Sequence, residues 1–205
     1  HTVTVKAVDN VGLTRIDTTK VYVDTTPPDS FNPIADPGEW SQNTQPIISF
    51  GTTDKPSGIN HYQLKIDDGQ FTPVESPYKL PILEDGVHDI TVKAIDNVGL
   101  ETISKTKVYV DTTPPAIPTN FKISPGDNEV EIEWSANGES DLVKYRLYRQ
   151  PGWQEDSYKT IDPVDEPRFL DMEVVNENHY SYYLEAVDHV GNISSPTATI
   201  TKKIG

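Results

Sequence analysis

Residues His88–Pro115 read HDITVKAIDNVGLETISKTKVYVDTTPP, and residues His1–Pro28 read HTVTVKAVDNVGLTRIDTTKVYVDTTPP. With His1 laid on His88 no gap is needed, and 21 of the 28 positions are identical. The seven that differ are Thr2, Val3, Val8, Thr14, Arg15, Asp17 and Thr18 in the first copy. Agreement of this kind comes from duplication. Inside the copy, Val3, Val5 and Ala7 alternate with Thr4, Lys6 and Val8, the two-residue period of a strand with one covered face. Asp-Asn-Val-Gly follows, and its Asn and Gly tolerate the positive φ of a turn. Lys20–Val23 alternates again and predicts a second strand. Each copy is thus the closing hairpin of a β-domain, and Asp-Thr-Thr-Pro-Pro is its exit.

A diverged third copy, YSYYLEAVDHVGNI, spans Tyr180–Ile193 and sets Ala186-Val187-Asp188 over Ala94-Ile95-Asp96. The repeats place the boundaries. Residues 1–26 hold only the last hairpin of one repeat, 27–113 a complete domain and 114–205 another. Further strands are predicted at Gln45–Gly51, Ile59–Ile66, Gln70–Val74 and Tyr78–Leu83 in the middle domain. In the last domain they fall at Thr119–Ser124, Glu129–Ser135, Leu142–Arg149, Tyr158–Ile161, Arg168–Met172, Tyr180–Asp188 and Thr197–Lys202. About seven short strands per domain at this spacing define an all-β fold of tandem antiparallel sandwiches joined by short Thr-Pro linkers. Pro-Pro fixes φ near −65° and restricts the residue before it, so the linkers are semi-rigid.

Composition narrows the function. The chain has 205 residues, a formal net charge of −15 and no cysteine. Its acidity repels phosphate backbones and anionic lipid, which argues against nucleic-acid and membrane-surface partners. Without cysteine there is no thiol catalysis, zinc-thiolate site or disulfide framework. A chain that opens on a final hairpin is expected to be a piece of a longer one with repeats upstream. The alternative is that the hairpin donates its strands to another molecule.

The last domain, through NEVEIEWSANGESDLVKYRLYR (Asn128–Arg149) and FLDMEVVNENHYSYYLEAVDHVGNIS (Phe169–Ser194), resembles a bacterial fibronectin type III module. That resemblance makes Trp134, Tyr145 and Leu147 core residues, and makes Tyr180 the corner tyrosine whose hydroxyl bonds back to the chain. The middle domain, marked by Trp40, SGINHYQLKIDDGQF (Ser57–Phe71), SPYKL (Ser76–Leu80) and DGVHDITVKAIDNVG (Asp85–Gly99), resembles a bacterial immunoglobulin-like repeat. Here His88, and His1 in the first copy, stands where the corner tyrosine would be. Trp40 reads as a core residue. The resemblance implies non-catalytic spacer modules of a large secreted or surface protein, whose partners are neighbouring domains of the same chain. It also implies an extracellular, bacterial setting. The alternative it leaves is an adhesion module that binds carbohydrate or a host ligand.

The chemistry-bearing residues are few. None of the five histidines lies in a hydrolase or metalloprotease motif, and no Gly-rich phosphate loop is present, so catalysis is not expected. Carboxylates, by contrast, are brought together by the topology. The turn after the sixth strand, the turn after the second and the incoming linker share one end of such a sandwich. At the first junction they carry Asp24, Asp54 and Asp96; at the second, Asp111, Glu139 or Asp141, and Asp188. Oxygen ligands from three loops suit Ca2+, and no other cofactor is implied. The competing reading is that Asp9, Asp96 and Asp188 cap their own turns through Asx bonds, as Asp24 and Asp111 would for the Thr-Thr that follows. For glycan binding, Trp153 in RQPGWQED, with Tyr158 beside it, is the candidate stacking platform. Glu129, Glu131 and Glu133 alternate with Val130, Ile132 and Trp134, which predicts a solvated face opposite a core face.

Overall fold

The computed structural model describes residues 1–152, 158–164 and 166–205. The repeated hairpin is present as expected: β1 (Thr2–Val8) pairs antiparallel with β2 (Thr14–Lys20), from Thr2↔Lys20 to Val8↔Thr14. The second arm is not Lys20–Val23. It is Thr14–Lys20, because the register ends at Thr2↔Lys20 and the Val21 amide closes on the His1 carbonyl at 2.8 Å. Beyond that bond Val21–Val23 have no strand partner and are exposed among apolar side chains. In the second copy the arm runs on to Val110, where Ser41 pairs with it in parallel.

The middle sandwich comprises β3 (Ile34–Asp36), β4 (Ile47–Ser49), β5 (Ile59–Ile66), β6 (Thr72–Val74), β7 (Tyr78–Lys79), β8 (Gly86–Asp96) and β9 (Glu101–Val110). One sheet has the order β3-β4-β7 and the other β6-β5-β8-β9. The short β3, which carries Pro33 before it and Pro37 after it, escapes a periodicity search because three residues cannot show a period. The last sandwich repeats the plan with β10 (Thr119–Pro125), β11 (Val130–Ser135), β12 (Leu142–Pro151), β13 (Lys159–Val164), β14 (Arg168–Asp171), β15 (His179–Asp188) and β16 (Ile200–Lys203). Its sheets run β10-β11-β14 and β13-β12-β15-β16. A three-stranded sheet facing a four-stranded one is the immunoglobulin and fibronectin type III plan. The chain is therefore all-β, with sandwiches of that class.

Contacts divide the chain into one unit of His1–Glu39 with Gln45–Tyr109 and a second of Trp40–Thr44 with Val110–Gly205. Each unit has its own core, as the alternation requires. In the first, Ile48, Ile90, Val92, Ala94 and Val108 are fully enclosed. In the second, Ile132, Leu147, Tyr182, Leu184 and Ile204 are, with Trp134, Tyr145 and Tyr180 packed beside them. Glu129, Glu131 and Glu133 point outward, and Glu133 sits between Lys122 and Arg168 in the ladder. Trp40 corrects the expectation of a core residue: it is 40% exposed and meets His189 edge-on, with ring centroids 6.0 Å apart.

Both corners close as side-chain-to-backbone ties. The Tyr180 hydroxyl accepts the Val175 amide at 3.2 Å. At the same place in the first unit, His88 Nε2 donates to the Glu84 carbonyl at 2.9 Å, while Nδ1 lies 2.9 Å from Asp67 Oδ2. Two acceptors facing two ring nitrogens favour the imidazolium. The Asp67 bond, then the Glu84 carbonyl, raise the His88 pKa, and the same contact lowers that of Asp67.

Candidate metal centre

The Asp-x-Val-Gly turn has one geometry in all three copies. Asp9 Oδ1 accepts the amides of Val11 and Leu13, both at 2.9 Å. Asp96 Oδ1 accepts those of Val98 and Leu100, again at 2.9 Å. Asp188 Oδ1 accepts those of Val190 and Asn192 at 3.0 and 2.8 Å. Gly12, Gly99 and Gly191 each take φ between 85° and 94°, which a side chain would strain. Asx capping therefore occurs, and it engages one carboxylate oxygen per turn. What the other oxygen does differs between the units.

In the first unit, one carboxylate oxygen from each of Asp24, Asp54 and Asp96 lies within 4.8 Å of the others. The linker delivers Asp24, whose Oδ1 accepts the Thr26 amide and hydroxyl and whose Oδ2 accepts the Ser57 amide at 3.1 Å. The bond to Ser57, followed by that to the Thr26 amide, holds the Asp24 carboxyl at about 2, so it is ionised at any ordinary pH. Asp54, in the turn between β4 and β5, offers Oδ2 to the Ser57 hydroxyl and Gly58 amide, both at 2.9 Å. Asp96 is 1% exposed, and its Oδ2 is buried with no hydrogen-bond partner. Among the described residues, no lysine or arginine pairs with any of the three.

The second unit uses the corresponding place otherwise. Asp188 Oδ2 accepts the Asn192 side-chain amide at 2.8 Å. The same Nδ2 lies 3.2 Å from the Asp111 carbonyl, 3.4 Å from its Oδ1 and 3.4 Å from the Thr113 carbonyl. An amide donor thus stands between the turn carboxylate and the linker. Asp111, Asp141 and His189 come within 4.8 Å of one another, whereas Asp188 and Glu139 lie outside that group. Glu139 Oε1 accepts the Ala116 amide at 2.7 Å, the first cause of its lowered pKa. Sequence reasoning missed Asn192. The signal was present, because Asn192 stands where Leu13 and Leu100 stand in the other copies.

Both Asp-Thr-Thr-Pro-Pro segments are strapped down within their units. Thr26 Oγ1 donates to the Lys55 carbonyl at 2.9 Å, Thr102 Oγ1 donates to the Pro28 carbonyl, and Asp29 exchanges bonds with Thr53. Farther on, Asp111 donates to Ser41, Ala116 to Glu139, and Asn137 Nδ2 to the Ala116 carbonyl.

Trp153 lies outside the described residues. Tyr158 is 37% exposed and meets Tyr183 edge-on at 4.8 Å, and Tyr183 stacks on Tyr148 at 4.4 Å. His61 contacts Asn60 and Gln63, and His88 the corner groups already described. No helix among the described residues is long and apolar enough to cross a membrane.

No family model matches the chain. An exoglucanase B of Cellulomonas fimi is 28% identical over 122 residues, which are 54% of this chain and 11% of that protein. An amylopullulanase of Thermoanaerobacterium thermosulfurigenes is 32% identical over 85 residues, 41% of this chain and 4% of that protein. The chain thus spans about a tenth or less of the length of the curated relatives it matches. Among solved structures, titin domains A168–A170 superimpose with a TM-score of 0.59 at 14% identity, over 98% of this chain and 74% of that one. That similarity concerns the fold. Similarity to short stretches of long bacterial glycosidases is what a module of a larger protein would give.

Proposed function

We propose that this chain consists of non-catalytic spacer modules of a long, secreted or surface-attached bacterial protein, which hold its other domains at a set separation. The observation that carries the reading is the strapped linker. Each Asp-Thr-Thr-Pro-Pro segment is stiff through its prolines and is hydrogen-bonded to the module after it, through Asp24 and Thr26 in the first and through the carbonyls of Asp111 and Thr113 in the second. Modules meant only to tether would be joined by solvated, flexible chain. The glycosidase relatives supply the context: the matched stretch is 11% of one of those proteins and 4% of the other. The acidic surface suits a stalk that must stay soluble.

The test uses the absence of cysteine. Single cysteines placed at Lys65 and Lys202 and spin-labelled should give a narrow distance distribution by pulsed electron resonance. Replacing Thr112–Pro115 with Gly-Ser-Gly-Ser should broaden it. An equally broad distribution in the unmodified linker would refute the reading.

A further inference from the structure

We propose that Asp24, Asp54 and Asp96 form a calcium site in the first unit, and that the second unit has replaced the equivalent cation with the amide of Asn192. The starting point is Asp96 Oδ2. Its sister oxygen is committed to two turn amides, whereas Oδ2 is buried at a residue only 1% exposed and has no partner. A buried carboxylate oxygen with no donor is costly, and native structures supply one. Asp96 contributes a carboxylate oxygen to a group with Asp24 and Asp54, all within 4.8 Å of one another and without a pairing base among the described residues. Like charges gathered in this way repel unless a cation joins them.

The second unit shows what fills this position when no cation does. Four residues beyond the turn aspartate it has Asn192, whose Nδ2 reaches Asp188 Oδ2 and the Asp111 carbonyl. Four residues beyond Asp96 stands Leu100, which has no polar side-chain atom to offer. The two units thus differ by one residue at the point that decides whether the inner oxygen is satisfied. The ligand class follows from the donors. All are oxygen, so zinc, which takes histidine and cysteine, is disfavoured. Oxygens about 2.4 Å from one centre lie at most about 4.8 Å apart, a limit these three satisfy, and calcium accepts irregular shells completed by carbonyls and water. Among the described residues neither Asp111 nor Asp141 carries a buried oxygen without a partner, and with His189 they are assigned no ion.

The experiment is calorimetric titration of the chelator-treated chain with calcium chloride, paired with thermal melts. One calcium per chain should bind, with Kd on the order of 10⁻⁴–10⁻³ M or tighter, and raise the melting midpoint. Asp96→Asn keeps the Oδ1 cap but removes the inner charge. Leu100→Asn supplies the amide that Asn192 supplies. Each should weaken binding by at least about tenfold, whereas Asp188→Asn in the second unit should leave it unchanged. The proposal is overturned if no heat and no midpoint shift appear up to about 10 mM calcium. It is equally overturned if Leu100→Asn, with an unaltered circular dichroism spectrum, binds as the parent does, or if Asp188→Asn abolishes binding. Should Leu100→Asn not fold, Asp54→Asn takes its place with the same expected loss.

Discussion

Replacing Asp171 with alanine removes the buried carboxylate that pairs with the buried Arg149 of the second unit. Arg149 is 8% exposed and Asp171 2%, and Arg149 Nη1 lies 2.6 and 2.8 Å from the two carboxylate oxygens. The Tyr182 hydroxyl donates to Oδ2 at 2.9 Å, and the Glu173 amide to Oδ1 at 3.0 Å. Burial, followed by the adjacent negative charge, pushes the Tyr182 phenol far upward, so it is a donor at every pH of interest. Removing one partner of a buried ion pair costs about 3–5 kcal/mol, because the remaining charge is stranded. Orphaning the enclosed Tyr182 hydroxyl costs about 1–3 kcal/mol by itself, and the two losses overlap. Glu173 offers partial rescue, since its Oε2 lies 3.2 Å from Nη2, but that side chain is 68% exposed and screened by water. Together these give about 4 kcal/mol for Asp171→Ala. For a unit of roughly 100 residues, that lowers the melting midpoint by about 15–30 °C.

Urea unfolding followed by Trp134 fluorescence, in a Trp40→Phe, Trp153→Phe background, reads the second unit through its own core. The sharper arm is the triple replacement Arg149→Met, Asp171→Leu, Tyr182→Phe. It removes both charges and the hydroxyl together, and should recover most of the loss, because apolar side chains of similar volume often match a buried pair. A loss below about 1 kcal/mol for Asp171→Ala, or a triple variant as unstable as the single, would refute this account of the core.

Further expectations concern the corners and turns. For the His88–Asp67 pair, the raised histidine pKa gives stability that is complete below the unfolded value of about 6.5 and is lost as pH rises through the folded value. The lowered aspartate pKa gives stability that is complete above about 3.8 and is lost as pH falls through its folded value. The first unit should therefore be most stable between those limits, and His88→Gln should flatten the alkaline limb in urea titrations run across pH. Tyr180→Phe leaves the Val175 amide without its acceptor and should cost about 0.5–1.5 kcal/mol by the Trp134 signal. Gly99→Ala meets no atom within 4 Å but must adopt φ near 94°, so a loss of about 1–2 kcal/mol in the first unit's transition would be pure backbone strain.

Much of the architecture was legible because duplication made the closing hairpin unmistakable and alternation marked the longer strands. Ile59–Ile66 is a strand over the span expected, and the outward glutamates of β11 lie opposite its core residues. Legibility fails where a strand owes its existence to a neighbour. Ile34–Asp36 is too short to carry a period, and Lys20–Val23 alternate like a strand whereas the observed arm is Thr14–Lys20. Trp40 misleads for a related reason: indole is apolar enough to suggest a core, but its ring rests against His189 with much of its surface in water. In the candidate site, chain topology grouped Asp24, Asp54 and Asp96. It could not reveal that Asp188 spends its second oxygen on a side chain four residues ahead.

That second oxygen explains how one turn serves two ends. An Asx turn needs only Oδ1, so every copy of Asp-x-Val-Gly folds alike whatever becomes of Oδ2. Once a sandwich packs over the turn, water is excluded and the spare oxygen must find a donor or a cation. The residue four positions on then decides between them. Asparagine ties the turn to the linker, whereas leucine offers no such donor, and under the calcium site proposed above that tie would follow the calcium concentration around the protein. A single codon thus separates a fixed anchorage from a conditional one, within a framework whose backbone bonds are the same. On this reasoning, Asn192→Leu should transfer calcium dependence to the second unit, since Asp188 Oδ2 would then be left as Asp96 Oδ2 is. Thermal melts of that variant should show a second calcium-responsive transition, and a calcium-independent melt with an intact fold would show that the linker carbonyls of Asp111 and Thr113 cannot complete a shell.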